Sequence, residues 1–308
     1  MPEKICIAET NKELDIIYKS KNSEDKFICL PLNLETYLYC AQKNIKFIDP
    51  YDLIDNTFHK KILVEGEKFV DSIHFKKKIS KTLILEIKSI LRFRFYSVLF
   101  LSELVSKILT RYKPASLIIV KKNTLAHSEN SFLVDDILTN LFPELTIEKK
   151  EIHYSLKDQD DQHYSYKIET KTNKNKQNIL LNNLGYNFKR IVLSKIFNFN
   201  YKFYTFESNK ISFLKKIILK LLRVEIINLN KTKDNFQASS LIEKINYNFS
   251  NKKIDRTIFV LLNKLQTHFS NFNNKTIAIN SFLKNNRFSL ILTNMVKGEG
   301  GIIVENPN

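Results

Sequence analysis

The stretch NNLGYNFKR, with Asn183, Gly185, Lys189 and Arg190, could handle phosphate. An apolar run passes there into an amphipathic one. A glycine at such a strand-to-helix passage leaves backbone amides pointing at whatever binds, with two cations a turn later. The spacing is neither GxGxxG nor a P-loop, so a glycine that merely permits a tight turn is the competing reading. His127, in the polar segment KKNTLAHSEN after the apolar run SLIIV, is the one histidine placed to act as a base; as a type it is more often a plain surface residue. Three of the five glycines fall in the last segment, TNMVKGEGGIIVENPN, where Thr293, Asn294, Gly298 and Glu299 follow a strand-like run.

Other chemistries find little support. The six histidines, His59, His74, His127, His153, His163 and His268, form no HxxxH or HExxH pair, and neither a metal nor a cofactor is expected. Asp135 and Asp136 fall on a helix and the acidic tip KDQDDQ in a turn, which suits solvated faces. Cys6, Cys29 and Cys40 show no CxxC spacing and read as small buried hydrophobes in a reducing compartment.

The elements that must position these residues alternate. KICIAET, KFICLPL and IKFIDPYDLID read as strands, NKELDIIYKSK as a helix opened by Asn11, and NLETYLYCAQKN as a helix opened by Asn33. A long helical region follows over residues 57–112, broken near FKKKISKT; then come the strand ASLIIV and a helix in SENSFLVDDILTNLF, capped by Ser128 or Ser131. LTIEKKEIHYSL and HYSYKIETKT form a hairpin by pattern, and KTNKNKQN is the linker. The second half restarts with strands NILLNNL, YKFYTFES, VEIINLN and FSLILTNMV. Its helices are GYNFKRIVLSKIF, NKISFLKKIILKLLR (capped near Ser208 or Asn209), NFQASSLIEKINYNF and DRTIFVLLNKLQTHFSNF. The expected fold class is α/β, with two Rossmann-like parallel-sheet domains over 1–172 and 173–308, the first ending in the hairpin. In an open parallel sheet ligands sit outside the carboxyl ends of the strands. That rule selects Glu9 and Thr10, Asn182, Asn183 and Gly185, Glu207, Ser208 and Asn209, and Thr293, Asn294, Gly298 and Glu299.

At 308 residues two domains are the natural expectation, and 43% hydrophobic residues suffice for real cores. The net charge of +17 favours phosphate-bearing partners, although a composition rich in lysine, asparagine and isoleucine accounts for part of it. Nucleic acid is the weaker partner: no RRM signature, GXXG loop or zinc-finger spacing is present. In ISFLKKIILKLLRVEI, Lys216, Lys220 and Arg223 fall on one helical face and Leu214, Ile217, Ile218 and Leu221 on the other. Such a helix can lie on an anionic membrane, but the closely flanking strands favour an ordinary surface helix. The N-terminus turns acidic too soon for a signal peptide, and the longest apolar stretch, residues 95–109, contains Glu103 and Lys107 and is too short to span a bilayer. A cytoplasmic protein, peripheral at the inner face of the membrane, is the expectation.

Two successive Rossmann-like units, with LETYLYCAQKNIKFIDPYDLID in the first, NILLNNLGYNFKRI opening the second and FLKNNRFSLILTNMVKGEGGIIVE after it, resemble glycosyltransferases of the GT-B type from bacterial surface-polysaccharide biosynthesis. The resemblance covers nearly the whole chain as a pattern. It implies a nucleotide-sugar donor held mainly by the second domain, a glycan or lipid-linked acceptor held mainly by the first, and no need for a bound metal. Asn183, Gly185, Lys189, Arg190, Ser208 and Asn209 would then face the donor phosphates, Thr293, Asn294, Gly298 and Glu299 would line the same cleft, and Glu9 or His127 would be the acceptor base. The sequence departs from the family in lacking a QHG-like turn and the later strand and helix units, so the second domain is expected to be incomplete.

Overall fold

The computed structural model describes residues 4–19, 27–76, 79–122, 131–152, 163–182, 200–206, 213–233, 240–249 and 251–293. The chain divides into two compact units. Unit 1 comprises Met1–His74, Lys88–Gln159 and Ile242–Leu265, and unit 2 comprises Phe75–Ile87, Asp160–Leu241 and Gln266–Asn308. The chain thus crosses between units several times, where the sequence suggested a single linker at 171–177.

The chain opens with β1 (Lys4–Ala8), α1 (Asn11–Lys19), β2 (Phe27–Pro31) and α2 (Leu34–Gln42). A short 3-10 turn leads to α3 (Asn56–Asp71), β3 (Ile73–Phe75) and α4 (Lys81–Tyr112), followed by β4 (Leu117–Lys122), α5 (Val134–Leu141) and β5 (Ile147–Ile152). The break expected near FKKKISKT is the gap between α3 and α4. In unit 1 the strands form one parallel sheet in the order β2-β1-β4-β5. Both faces are covered, as a parallel sheet requires. Cys6, Ala8, Cys29, Ile118 and Val120 pack with Leu14, Ile17 and Cys40 of the helices, while the alternate residues Ile5, Ile7, Ile28, Leu30 and Ile119 are buried as well. The third strand expected in IKFIDPYDLID is reduced to a single parallel bridge from Phe47 to Cys29, because Pro50 turns the chain away at once.

The helix starts reveal a local code. Asn33 caps α2 through its side chain, as expected. The start of α1 belongs to Thr10 rather than Asn11: Thr10 Oγ1 accepts the Glu13 amide at 3.3 Å, and the Glu13 carboxylate reaches back to the Thr10 hydroxyl and the Glu9 amide. The α5 cap is a correction too. Ser131 makes no cap, and the residue before the helix is Leu133 in the left-handed conformation, φ 55°.

Unit 2 contains β6 (Tyr164–Ile168), β7 (Gln177–Asn182), β8 (Tyr201–Phe206), α6 (Phe213–Leu221), β9 (Val224–Ile227) and β10 (Leu229–Lys233). Then follow β11 (Ile242–Ile245), which lies in unit 1, α7 (Lys252–Asn285), which belongs to unit 1 up to Leu265 and to unit 2 from Gln266, and β12 (Leu290–Thr293) of unit 2. The second parallel sheet has the order β12-β7-β8-β9. Leu180, Tyr204, Phe206 and Ile227 pack on one face with Ile279, Phe282 and Leu283 of α7, and Ile179, Leu181, Phe203 and Val224 pack on the other with Leu219 of α6.

Two expectations are corrected. Among the described residues the hairpin expected over 145–170 is not formed: β5 joins the first sheet beside β4, and β6 pairs antiparallel with β10 in unit 2. NFQASSLIEKINYNF is not a helix over its described part, where β11 lies. Ile245, Tyr247 and Phe249 recur every second residue, a strand period. Tyr247 and Phe249 close an aromatic cluster with Phe69 and Phe95.

Candidate functional site

In the first sheet the chain moves outward from β1 to β2 and then returns to add β4 on the other side of β1. The strand order therefore reverses between β1 and β4, and the crevice over their carboxyl ends is where a doubly wound sheet takes its ligand. Glu9 follows β1 directly and is only 2% exposed, as is Glu13 beside it. Its backbone is pinned from three sides. The amide donates to Glu13 Oε2 at 2.8 Å, and the carbonyl accepts the Thr36 hydroxyl at 2.9 Å and the side-chain amide of Asn33.

The Glu9 carboxylate reaches the chain just before α5. It accepts the Phe132 amide at 3.2 Å and a longer contact, 3.4 Å, from the Ser131 hydroxyl. Arg94 of α4, 1% exposed, donates to the Ser131 carbonyl at 2.7 Å. The Ser131 hydroxyl oxygen in turn accepts the Leu133 amide at 3.2 Å. A leucine at positive φ costs about 1 kcal/mol or more and persists only where its surroundings over-determine it, a condition that recurs at ligand-binding loops. Here Glu9, Arg94 and Ser131 supply that determination. Buried carboxylate and guanidinium groups are tolerable because each meets hydrogen-bonding partners.

This arrangement fixes the end of the segment that contains His127, which itself lies outside the described residues, as do 123–130 generally. The Glu9 carboxylate is therefore engaged with the described residues Ser131 and Phe132, and the amino ends of α1 and α2 are closed by the protein's own Glu13 and Asn33. Sequence reasoning singled out Glu9 but missed Glu13 and Arg94. The signals were present: Thr10-x-x-Glu13 is a capping-box spacing, and an arginine inside the apolar run LRFRFYSVLF demands a buried partner.

The second sheet repeats the reversal. From β7 the chain proceeds to β8 and β9, and β12 then lies on the opposite side of β7, with Thr293 opposite Asn182 in the parallel register. The segments beginning at Asn183, after Phe206 and at Asn294 thus leave three neighbouring strands, β7, β8 and β12, from one edge. Of the predicted residues there, Thr293 ends β12, whereas Asn183, Gly185, Lys189, Arg190, Ser208, Asn209, Asn294, Gly298 and Glu299 lie outside the described residues. At the opposite, amino end of this sheet, a groove of about 1220 Å³ is lined by Lys167, Lys171, Lys176, Asn178 and Arg287 among others.

Among the described residues no group of three or more histidine, cysteine or carboxylate side chains could hold a metal ion, and no helix is long and apolar enough to cross a membrane. The three cysteines are free and buried together.

The chain matches no protein-family model and no curated protein. Among solved structures it is similar, at 10% identity and a TM-score of 0.23, to the adenylation, ketoreductase and pseudo Asub multidomain structure of a keto acid-selecting NRPS module. That match covers 74% of this chain and 23% of the other, so the chain spans about a quarter of the length of the structure it matches.

Proposed function

We propose that the chain is a glycosyltransferase that moves a sugar from a nucleotide-linked donor to a surface glycan or its lipid-linked precursor. The observation that supports this reading is the position of β12. Because it lies beside β7, the segments carrying Gly185, Lys189, Arg190, Ser208, Asn209 and Glu299 all depart from one edge of one parallel sheet, at its reversal point. A sequence of glycine followed by two cations there suits the diphosphate of a donor, whose negative charge grows as the sugar departs. Positioning and charge stabilisation of this kind need no resident metal. With the Glu9 carboxylate committed to the Phe132 amide, Glu9 acts as a positioning residue and His127 is the candidate acceptor base.

The test is a thermal-shift and sugar-release panel of nucleotide sugars on the full chain. A ligand at 100 times its Kd stabilises the native state by about 2.7 kcal/mol, a readily measured rise in Tm. One donor class is expected to raise Tm, Gly185→Val to abolish the rise, and His127→Ala to keep binding but lose transfer. A panel with no shift and no release overturns the reading, and a Gly185→Val variant that binds normally removes the proposed site. A second reading, a non-catalytic basic protein that docks on an anionic surface, is favoured by one observation: the exposed apolar face of α6.

A further inference from the structure

Helix α6 is attached to unit 2 by a narrow stripe. Leu219 is buried among Ile179, Leu181, Phe203 and Val224, and Leu222, just past the helix, packs against the same cluster. Its other large apolar residues, Phe213, Leu214, Ile217, Ile218 and Leu221, are between 41% and 77% exposed. Leu214, Ile217, Ile218 and Leu221, which the sequence placed together on the apolar side of the helix, are thus exposed rather than packed on the core. At 3.6 residues per turn the five exposed side chains fill one continuous arc of about 140°. The helix carries a second apolar stripe, wider than the one that holds it to its own core. Single exposed leucines are ordinary, but five contiguous apolar side chains on a nine-residue helix form an interaction surface.

The charges beside the arc identify what it meets. Lys216 and Lys220 fall on the helix between the buried Leu219 and the exposed arc, and Arg223 follows the last turn. A second copy of this chain would bring the same lysines and the same +17 charge against them, which disfavours self-association through this face. A surface dense in phosphate, with hydrocarbon directly beneath it, satisfies both the lysines and the apolar arc. We infer that α6 is a docking surface for an anionic lipid bilayer, lying in the plane of the interface with Phe213, Leu214, Ile217, Ile218 and Leu221 in the acyl boundary and the lysines at the headgroup phosphates. This inference goes beyond the transferase reading and stands without it: a chain that fails every donor assay can still bind vesicles.

Co-sedimentation of the full chain with phosphatidylcholine vesicles, with and without about one-third phosphatidylglycerol, tests it. The chain is expected to bind the mixed vesicles, to bind the neutral ones far less, and to be released as salt rises. Leu214→Glu combined with Leu221→Glu is expected to lower binding to the neutral-vesicle level while leaving the circular dichroism and Tm unchanged, because both side chains are more than 70% exposed. Lys216→Gln combined with Lys220→Gln is expected to weaken partitioning about thirtyfold, at roughly fivefold for each charge near the surface. Equal binding to both vesicle types, or a Leu214→Glu/Leu221→Glu variant that binds like the parent, overturns the inference. So does sedimentation velocity showing a dimer that the same double variant dissociates, since the face would then be covered by a second copy.

Discussion

Replacing Glu9 by alanine isolates the work of its carboxylate, because its contacts to Glu13, Asn33 and Thr36 are all made by its backbone and survive the change. Among its contacts to described residues, the change removes the acceptor for the Phe132 amide at 3.2 Å; the 3.4 Å contact from Ser131 is long enough to count for little. A hydrogen bond to a charged acceptor contributes about 1.5 to 3 kcal/mol, and an amide left buried without one costs a similar amount. Taking about 2 kcal/mol at 1.4 kcal/mol per decade gives roughly thirtyfold more frequent opening of this segment. Hydrogen exchange followed by mass spectrometry reads that directly on the peptide 131–142, with 27–42 as the internal control, and needs no assumption of two-state unfolding across two units. Glu9→Gln keeps one acceptor oxygen but loses the charge, so an acceleration of only a few-fold is expected. If Glu9→Ala leaves 131–142 exchanging as in the parent, or accelerates 27–42 equally, the carboxylate does not hold the return from β4 and the account of this crevice is wrong.

Two further outcomes follow from groups remote from that crevice. Cys6, Cys29 and Cys40 are buried in one cluster, and hydrogen bonding to Cys40 and Cys6, together with burial, pushes the Cys29 thiol up. None is expected to react with a thiol reagent at pH 8 in the native chain, and all three to react in guanidinium chloride; one equivalent of rapid native labelling contradicts this. In unit 1, Lys68 at 2.8 Å and the Tyr247 hydroxyl at 2.6 Å hold the Glu65 carboxyl below the usual carboxylate range. A depressed carboxyl adds stability that is present above its unfolded pKa and is lost as pH falls through the folded one. The difference in urea midpoint between the parent and Glu65→Gln should therefore shrink from neutral pH to about pH 3. A difference that grows in acid reverses the sign and refutes the pairing.

What was legible in the sequence divides along a physical line. Apolar runs and helical periods are local, and they located β1, β2, β4, β7, β8, β9 and β12 and most helices, because burial on both faces of a parallel sheet writes itself into consecutive residues. Partner choice is not local. β5 and β6 both look like strands with a polar turn between them, yet β5 pairs with β4 and β6 with β10. The error at β11 has a different source. Leu241, Ile242, Ile245 and Phe249 also satisfy a helical spacing, and the period-2 set Ile245, Tyr247 and Phe249 prevails because its rings meet Phe69 and Phe95, far away in sequence.

The same distinction governs the site. The rule that ligands bind past the carboxyl ends of parallel strands selects a residue after every strand, and a sequence alone ranks them equally. Strand order ranks them. In unit 1 it sets Glu9 at the reversal point, where its carboxylate accepts the Phe132 amide. In unit 2 it brings the exits of β7, β8 and β12 together, so the glycine-bearing segments after Asn182 and after Thr293 start as neighbours, although more than one hundred residues separate them. A helix such as α6 shows the converse. Its amphipathic pattern was plain in the sequence, but a pattern cannot say which stripe faces the core, and here the core takes Leu219 while the wider stripe faces outward. Periodicity reports that a helix has an apolar face, and only packing reports whether that face is already in use.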